Sequence, residues 1–174
     1  MGMIIGLDRD DIIDLIKRFN EIWVSNQNNP LTFIISGKYD EVVQLLSMAK
    51  EEGALKADLL PVTNPYHSEL LRKAAQGFAR TVQSLPFSDP VYPYVSNIDR
   101  KLITSRRIIQ QEVIGNLYQG MNWYETMRSL ISFGSEIFFE CGAGDGLTRN
   151  FRFIDPSVKA FSVDKLEQFL ALFR

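Results

Sequence analysis

The alternation of strand-like and helix-like segments over residues 1–61 constrains the fold of this 174-residue chain more than any other feature. Residues 3–7 are short and apolar, as a strand requires. Asp8 stands where a helix N-cap belongs. In the helix it opens, residues 11–19, Ile12, Ile16 and Phe19 share one face, with Leu15 beside them. Ile22, Trp23 and Val24 favour a strand over residues 21–25. Asn26-Gln27-Asn28-Asn29-Pro30 has the composition of a turn, and residues 31–35 read as the next strand, closed by Ser36 and Gly37. Val42, Leu45, Leu46 and Ala49 predict a helix over 40–52, with Gly53 as its C-cap glycine. Residues 55–62 complete the set. Strand, helix, strand, strand, helix, strand is the ferredoxin-like split βαβ order. That superfold is silent on function.

Beyond residue 62 the pattern changes. Thr63-Asn64-Pro65-Tyr66-His67-Ser68 leads into a helix with Leu70, Leu71, Ala74, Phe78 and Val82 at helical spacing, ended by Pro86. Residues 90–97 are extended between prolines. Ser105 begins a helix through Ile108, Ile109, Val113, Ile114 and Leu117, which Gly120 breaks. A further helix spans 123–133, with Trp123, Met127, Leu130 and Ile131 on its buried side. Residues 137–140 read as a strand buried on both faces, 160–163 as a last strand and 165–173 as a last helix. The expected fold class is therefore α/β (α+β): a ferredoxin-like subdomain at 1–61, then the partial layers of an α/β domain at 62–174.

Composition narrows the function classes. At 45% hydrophobic and 23% charged residues, the chain can bury a real core. A formal charge of −2 and the lack of any basic run argue against nucleic acid and membrane surfaces as partners. Its apolar runs are too short to span a bilayer, and the N-terminus lacks a signal peptide's charged start and apolar core. One cysteine and one histidine exclude an internal disulfide and leave no arguable metal site. A reducing cytoplasm is the simplest home.

His67 is that single histidine, at a strand-to-helix turn, and its side chain suits proton transfer near neutral pH. The competing reading is a surface or hydrogen-bonded residue, which composition alone favours. Gly142-Ala143-Gly144-Asp145-Gly146 follows a strand like a phosphate cradle. Leu147 occupies the place of the third dinucleotide glycine, and no P-loop lysine is present. A tight turn that lets a helix pack close to its strand is the preferred reading. Glu140 can accept hydrogen bonds from nearby backbone N–H groups or act as a catalytic carboxylate, although no second carboxylate pairs with it. Cys141 reads as a small buried hydrophobe. No Gly-x-Ser-x-Gly nucleophile elbow occurs.

Five landmarks in order give the chain its resemblance to malonyl-CoA:acyl carrier protein acyltransferases of fatty acid and polyketide synthesis. Asn26-Gln27-Asn28-Asn29-Pro30 with the following strand resembles the family's Asn-x-Asn-x-Pro segment. Leu60-Pro61-Val62 through His67-Ser68 is similar to the segment with the catalytic histidine. Pro93-Tyr94-Val95-Ser96-Asn97 resembles its proline-to-asparagine strand. Leu117-Tyr118, Trp123 and Gly134 fall at its spacing, and Glu140-Cys141-Gly142-Ala143-Gly144 is similar to its Glu-x-Gly-Pro-Gly turn. The resemblance implies an α/β-hydrolase-like large subdomain beside the ferredoxin-like one, with His67 catalytic and Asn116 and Asn97 supporting it. Asn116 stands where the family often has a glutamine whose backbone carbonyl orients the histidine. Tyr66, Asn26 and Asn28 are the implied substrate-binding residues. A large aromatic at Tyr66 favours malonyl over methylmalonyl, by about 1–3 kcal/mol for one methyl group.

The resemblance further implies ping-pong acyl transfer through a serine, with no bound cofactor and with coenzyme A thioester and phosphopantetheine as substrates. Acyl carrier protein is the implied partner. The family's serine-bearing N-terminal half is not matched. The chain is therefore expected to be a portion, a cleaved product or one chain of a split acyltransferase, inactive alone. It would pair with a serine-bearing partner chain or self-associate as a homo-oligomer. The alternative is a non-enzymatic module of that fold that binds a carrier protein or a synthase.

Overall fold

The computed structural model describes residues 1–165 and residue 170. The expected last helix, 165–173, lies outside the described residues. The chain forms two compact units, Met1–Thr126 and Met127–Arg174.

The first unit opens with β1 (Gly2–Ile5), α1 (Arg9–Ile16), β2 (Ile22–Asn29), β3 (Thr32–Gly37), α2 (Tyr39–Glu51) and β4 (Lys56–Leu59). The four strands form one antiparallel sheet in the order β2-β3-β1-β4, the ferredoxin-like arrangement. Asp8 starts α1 with a capping box: its carboxylate accepts from the N–H groups of Asp10 and Asp11, and the Asp11 carboxylate accepts from the Asp8 N–H. Gly53, at φ 95°, ends α2 in the left-handed region that a side chain disfavours.

Both helices bury their apolar faces on one side of the sheet. Ile4, Ile12, Leu15, Phe33, Ile35, Val42, Leu45, Leu46 and Ala49 are among the twelve core residues, all contributed by residues 4–57. A core drawn from so short a span carries an expectation. A chain ending at Val62 will unfold in one cooperative urea transition, and a gradual, sloping loss of ellipticity would contradict it.

Two local expectations are corrected. Residues 26–29 are strand, not turn. Register shifts at Val24/Asn26 and Gln27/Asn29 keep the polar stretch in the ladder, and its buried side chains find partners: the Gln27 amide donates to the Asn29 carbonyl. The turn shrinks to Pro30 and Leu31, whose N–H donates to Asn29 Oδ1 at 3.0 Å. The fourth strand stops at Leu59, which pairs with Gly2 of β1; beyond it, Leu60 N–H still donates to the Met1 carbonyl at 3.0 Å.

The first unit continues through a 3-10 turn (Glu69–Leu71), α3 (Arg72–Ser84), the short hairpin β5 (Tyr94–Val95) and β6 (Leu102–Ile103), and α4 (Arg106–Gly115). α3 buries Ala75 and Val82 rather than Ala74 and Phe78, and Phe78 is 40% exposed. α4 buries Glu112 and Gly115, while Ile108 is 43% exposed. These apolar faces are present as the spacing predicts, but little of this chain covers them. After α4 the chain returns to β2. Met121 N–H donates to the Ser25 carbonyl, and Gly120 lies so close that a Cβ there would stand 2.7 Å from the Val24 oxygen.

α5 (Trp123–Ser132) leads into the second unit, and Thr126 is its one buried residue. There β7 (Ile137–Glu140) pairs in parallel with β8 (Lys159–Ser162), joined through a 3-10 turn (Thr148–Asn150) and α6 (Phe151–Ile154). Phe138 packs on Phe151, ring centroids 4.5 Å apart, and Phe139 stacks on Phe161. β7 is not buried on both faces: Ile137 is 53% and Phe139 44% exposed, since among the described residues β7 has one neighbouring strand, β8. No described helix is long and apolar enough to cross a membrane.

Candidate functional site

His67 sits in a loop fixed by its own polar groups. Ser68, 1% exposed, donates its hydroxyl to the Pro65 carbonyl at 2.6 Å, and Tyr66 N–H donates to the Asn64 carbonyl. His67 itself adopts φ 56°. Among the described residues, only it and Arg100 are non-glycine residues in that region. Such a conformation persists only where its surroundings enforce it, and it clusters at functional sites.

The enforcing contact comes from the end of α4. Carbonyls past a helix C-terminus lack intrahelical partners, and here they turn to His67. The Leu117 carbonyl accepts the His67 N–H at 3.0 Å, and the Asn116 and Gln119 carbonyls flank the imidazole. Neither carbonyl reaches hydrogen-bond geometry with the buried Nδ1, which has no partner among the described residues. Asn116 Oδ1 is likewise buried without one. Beside this pair, the Arg72 guanidinium lies 4.5 Å above the Tyr118 ring while donating to the Glu69 carboxylate, tying the 3-10 turn to the segment after α4.

Burial pushes the His67 imidazole below its ordinary value, and the two carbonyls pull part of the way back. The ring is therefore neutral at neutral pH, as a base must be. The unfolded chain then binds the proton more readily than the folded one. Stability falls as pH drops through about 6.5 and levels off below the folded-state value. Because His67 is the one histidine, its imidazole ¹H resonance can be followed unambiguously. A titration midpoint below about 6.5 is expected, and one above it would contradict the burial.

The other expected site residues are distributed differently. Tyr66 is exposed next to His67, and its hydroxyl accepts from the Asn64 amide. Asn97 is held by its backbone: its N–H donates to Glu112 Oε1 at 2.9 Å and its carbonyl accepts from Asn122 N–H. Asn26 donates to Asn28 Oδ1 at 2.6 Å and accepts the Trp123 N–H at 3.0 Å, so its amide fastens the start of α5 to β2.

In the second unit, Glu140 accepts the N–H groups of Leu147 and Thr148 and the Thr148 hydroxyl. In the glycine turn, Gly144 N–H donates to Asp164, and Asp145 pairs with Lys165 and Arg149. Among the described residues its glycines serve no close packing, since a Cβ at 142, 144 or 146 would meet nothing there within 4 Å. Only Gly144, at φ 85°, needs its conformational freedom. Cys141 is exposed, not buried, because β7 ends at the open edge of a two-stranded sheet.

Sequence reasoning missed Ser96 and Glu112, 1% and 7% exposed. The available signal was a carboxylate four residues after Ile108 and three before Gly115, on an otherwise apolar stripe.

No family model matches the chain. Curated relatives do. The malonyl CoA-acyl carrier protein transacylase of Bacillus subtilis (strain 168) is 28% identical over 171 residues, which is 96% of this chain and 54% of that one. The transacylase of Haemophilus influenzae is 30% identical over 175 residues, covering 99% and 56%. Among solved structures, an acyl carrier protein S-malonyltransferase from Vibrio cholerae superposes with a TM-score of 0.91 at 29% identity, covering 98% of this chain and 57% of that one. A malonyl-transacylase in complex with its type II polyketide synthase acyl-carrier protein gives 0.92 at 28%, covering 98% and 56%. The chain is similar, over nearly its whole length, to members of the malonyl-CoA:acyl carrier protein transacylase family. It corresponds to a C-terminal portion of the transacylases and spans about half the length of the relatives it matches.

Proposed function

We propose that this chain supplies the histidine-bearing portion of a malonyl-CoA:acyl carrier protein acyltransferase, with His67 as its general base and acid. The observation that carries the reading is the placement of His67, a neutral imidazole held at φ 56° against the carbonyls that follow α4. Nδ1 is the buried nitrogen, so Nε2 is the one that meets the reacting groups.

A serine on polypeptide outside these 174 residues attacks the malonyl thioester carbonyl, and His67 takes the serine proton. Collapse of the tetrahedral adduct expels coenzyme A thiolate, which recovers that proton from His67. The carrier's phosphopantetheine thiol then gives its proton to His67 and attacks the malonyl-serine ester, and the released serine oxygen takes the proton back. Asn116 lends its carbonyl to the imidazole, and exposed Tyr66 borders the acyl group. Asn97, Asn26 and Asn28 hold the surrounding segments in place. The exposed Phe78 of α3 and Ile137 and Phe139 of β7 support coverage by further polypeptide.

The test is reconstitution with the serine-bearing half of a relative. Mixed, the two should move malonyl from coenzyme A to a carrier protein, and this chain alone should not. Stable assembly without transfer would favour the binding-module reading. Transfer by the chain alone would overturn the proposal.

A further inference from the structure

We infer that Glu112 is a positioning residue for His67, acting through α4; this rests on the functional reading above. Glu112 lies on α4 one turn before Asn116, and its main-chain carbonyl accepts the Asn116 N–H at 2.8 Å. Its side chain is buried. One carboxylate oxygen accepts the Ser96 hydroxyl at 2.7 Å and the other the Asn97 N–H at 2.9 Å. Ser96 Oγ in turn accepts the N–H groups of Ile98 and Asp99, both at 3.0 Å. That hydroxyl is therefore saturated, with one bond donated and two accepted.

The turn between β5 and β6 is thus folded around Ser96 and nailed to α4 by Glu112. The same turn braces the far end of the segment that holds His67. Asn97 accepts the Asn122 N–H, and Asn122 reaches Gln27 of β2 through its side chain at 3.1 Å. The segment 116–119, with the Asn116, Leu117 and Gln119 carbonyls against His67, is clamped between Glu112 on one side and Asn122 on the other. His67 needs such a clamp because its left-handed backbone is held by a hydrogen bond to this segment.

The carboxylate is chemically specific here. Ser96 donates to it, so an amide in its place presents either one acceptor too few or an N–H against a hydroxyl whose lone pairs are already filled. Glu112→Gln keeps the volume and breaks the clamp, and Ser96→Ala removes its other half.

The experiment follows the His67 imidazole resonance of the full chain against pH in Glu112→Gln and Ser96→Ala, with the ¹H–¹⁵N spectrum as the check on folding. Loosening the clamp should hydrate the ring and move its midpoint up toward about 6.5 in both variants. In the enzyme reconstituted with a serine-bearing half, Glu112→Gln should lower kcat about tenfold and leave KM within about twofold. In a His67→Ala background it should cost nothing further. A folded variant whose His67 midpoint is unchanged overturns the inference. If Glu112→Gln does not fold, Ser96→Ala decides by the same readout. If the reconstituted parent enzyme is inactive, the functional reading has failed, and the titration alone still decides the role of Glu112.

Discussion

His67→Ala, in the enzyme completed by a serine-bearing half, is expected to lower the rate of malonyl transfer by about 10²–10⁴-fold, the usual worth of a positioned acid-base group. The reason is local. No second histidine exists in these 174 residues to take over the proton. Stability should move little, because the ring is half-buried and its Nδ1 makes no hydrogen bond to lose. Loss of activity with the urea midpoint kept therefore separates chemistry from folding. A variant that loses less than about tenfold would remove His67 from the reaction.

Phe33→Ala is expected to cost about 3–5 kcal/mol of stability. Phe33 is fully buried near the start of β3, opposite Ile4 of β1 and Gln27 of β2. Sheet on one side and helices on the other leave no path for collapse into the vacated space. Leu31→Ala, two residues away at the exposed hairpin tip, should cost less than about 0.5 kcal/mol. Urea denaturation of both variants reads the contrast directly, and equal costs would refute the placement of the core.

The ferredoxin-like half was legible because each of its apolar faces is covered by its own residues. Val42, Leu45, Leu46 and Ala49, read from spacing alone, are the four buried positions of α2. The α/β half was less legible for the converse reason. Periodicity marks an apolar face on α3 but cannot say what covers it, and Phe78 on that face stands exposed. The strand at Ile137 was read correctly as apolar and strand-forming, yet its burial depends on neighbours these residues do not supply. At the site, the position of His67 was visible in the sequence. Its left-handed backbone was not, because nothing about a histidine announces φ 56°. The Glu112 and Ser96 pair escaped notice because the two residues lie far apart in sequence, and only the folded hairpin brings them together.

The most direct test of His67 as the base is the pH dependence of serine acylation. The reconstituted enzyme would be mixed with malonyl-CoA in a single turnover and the malonyl adduct followed by intact mass. Acylation should slow on acidification with a midpoint below about 6.5, coinciding with the His67 imidazole titration measured on the same sample. An acylation rate that stays level through that titration, or that His67→Ala leaves unchanged, would contradict the account.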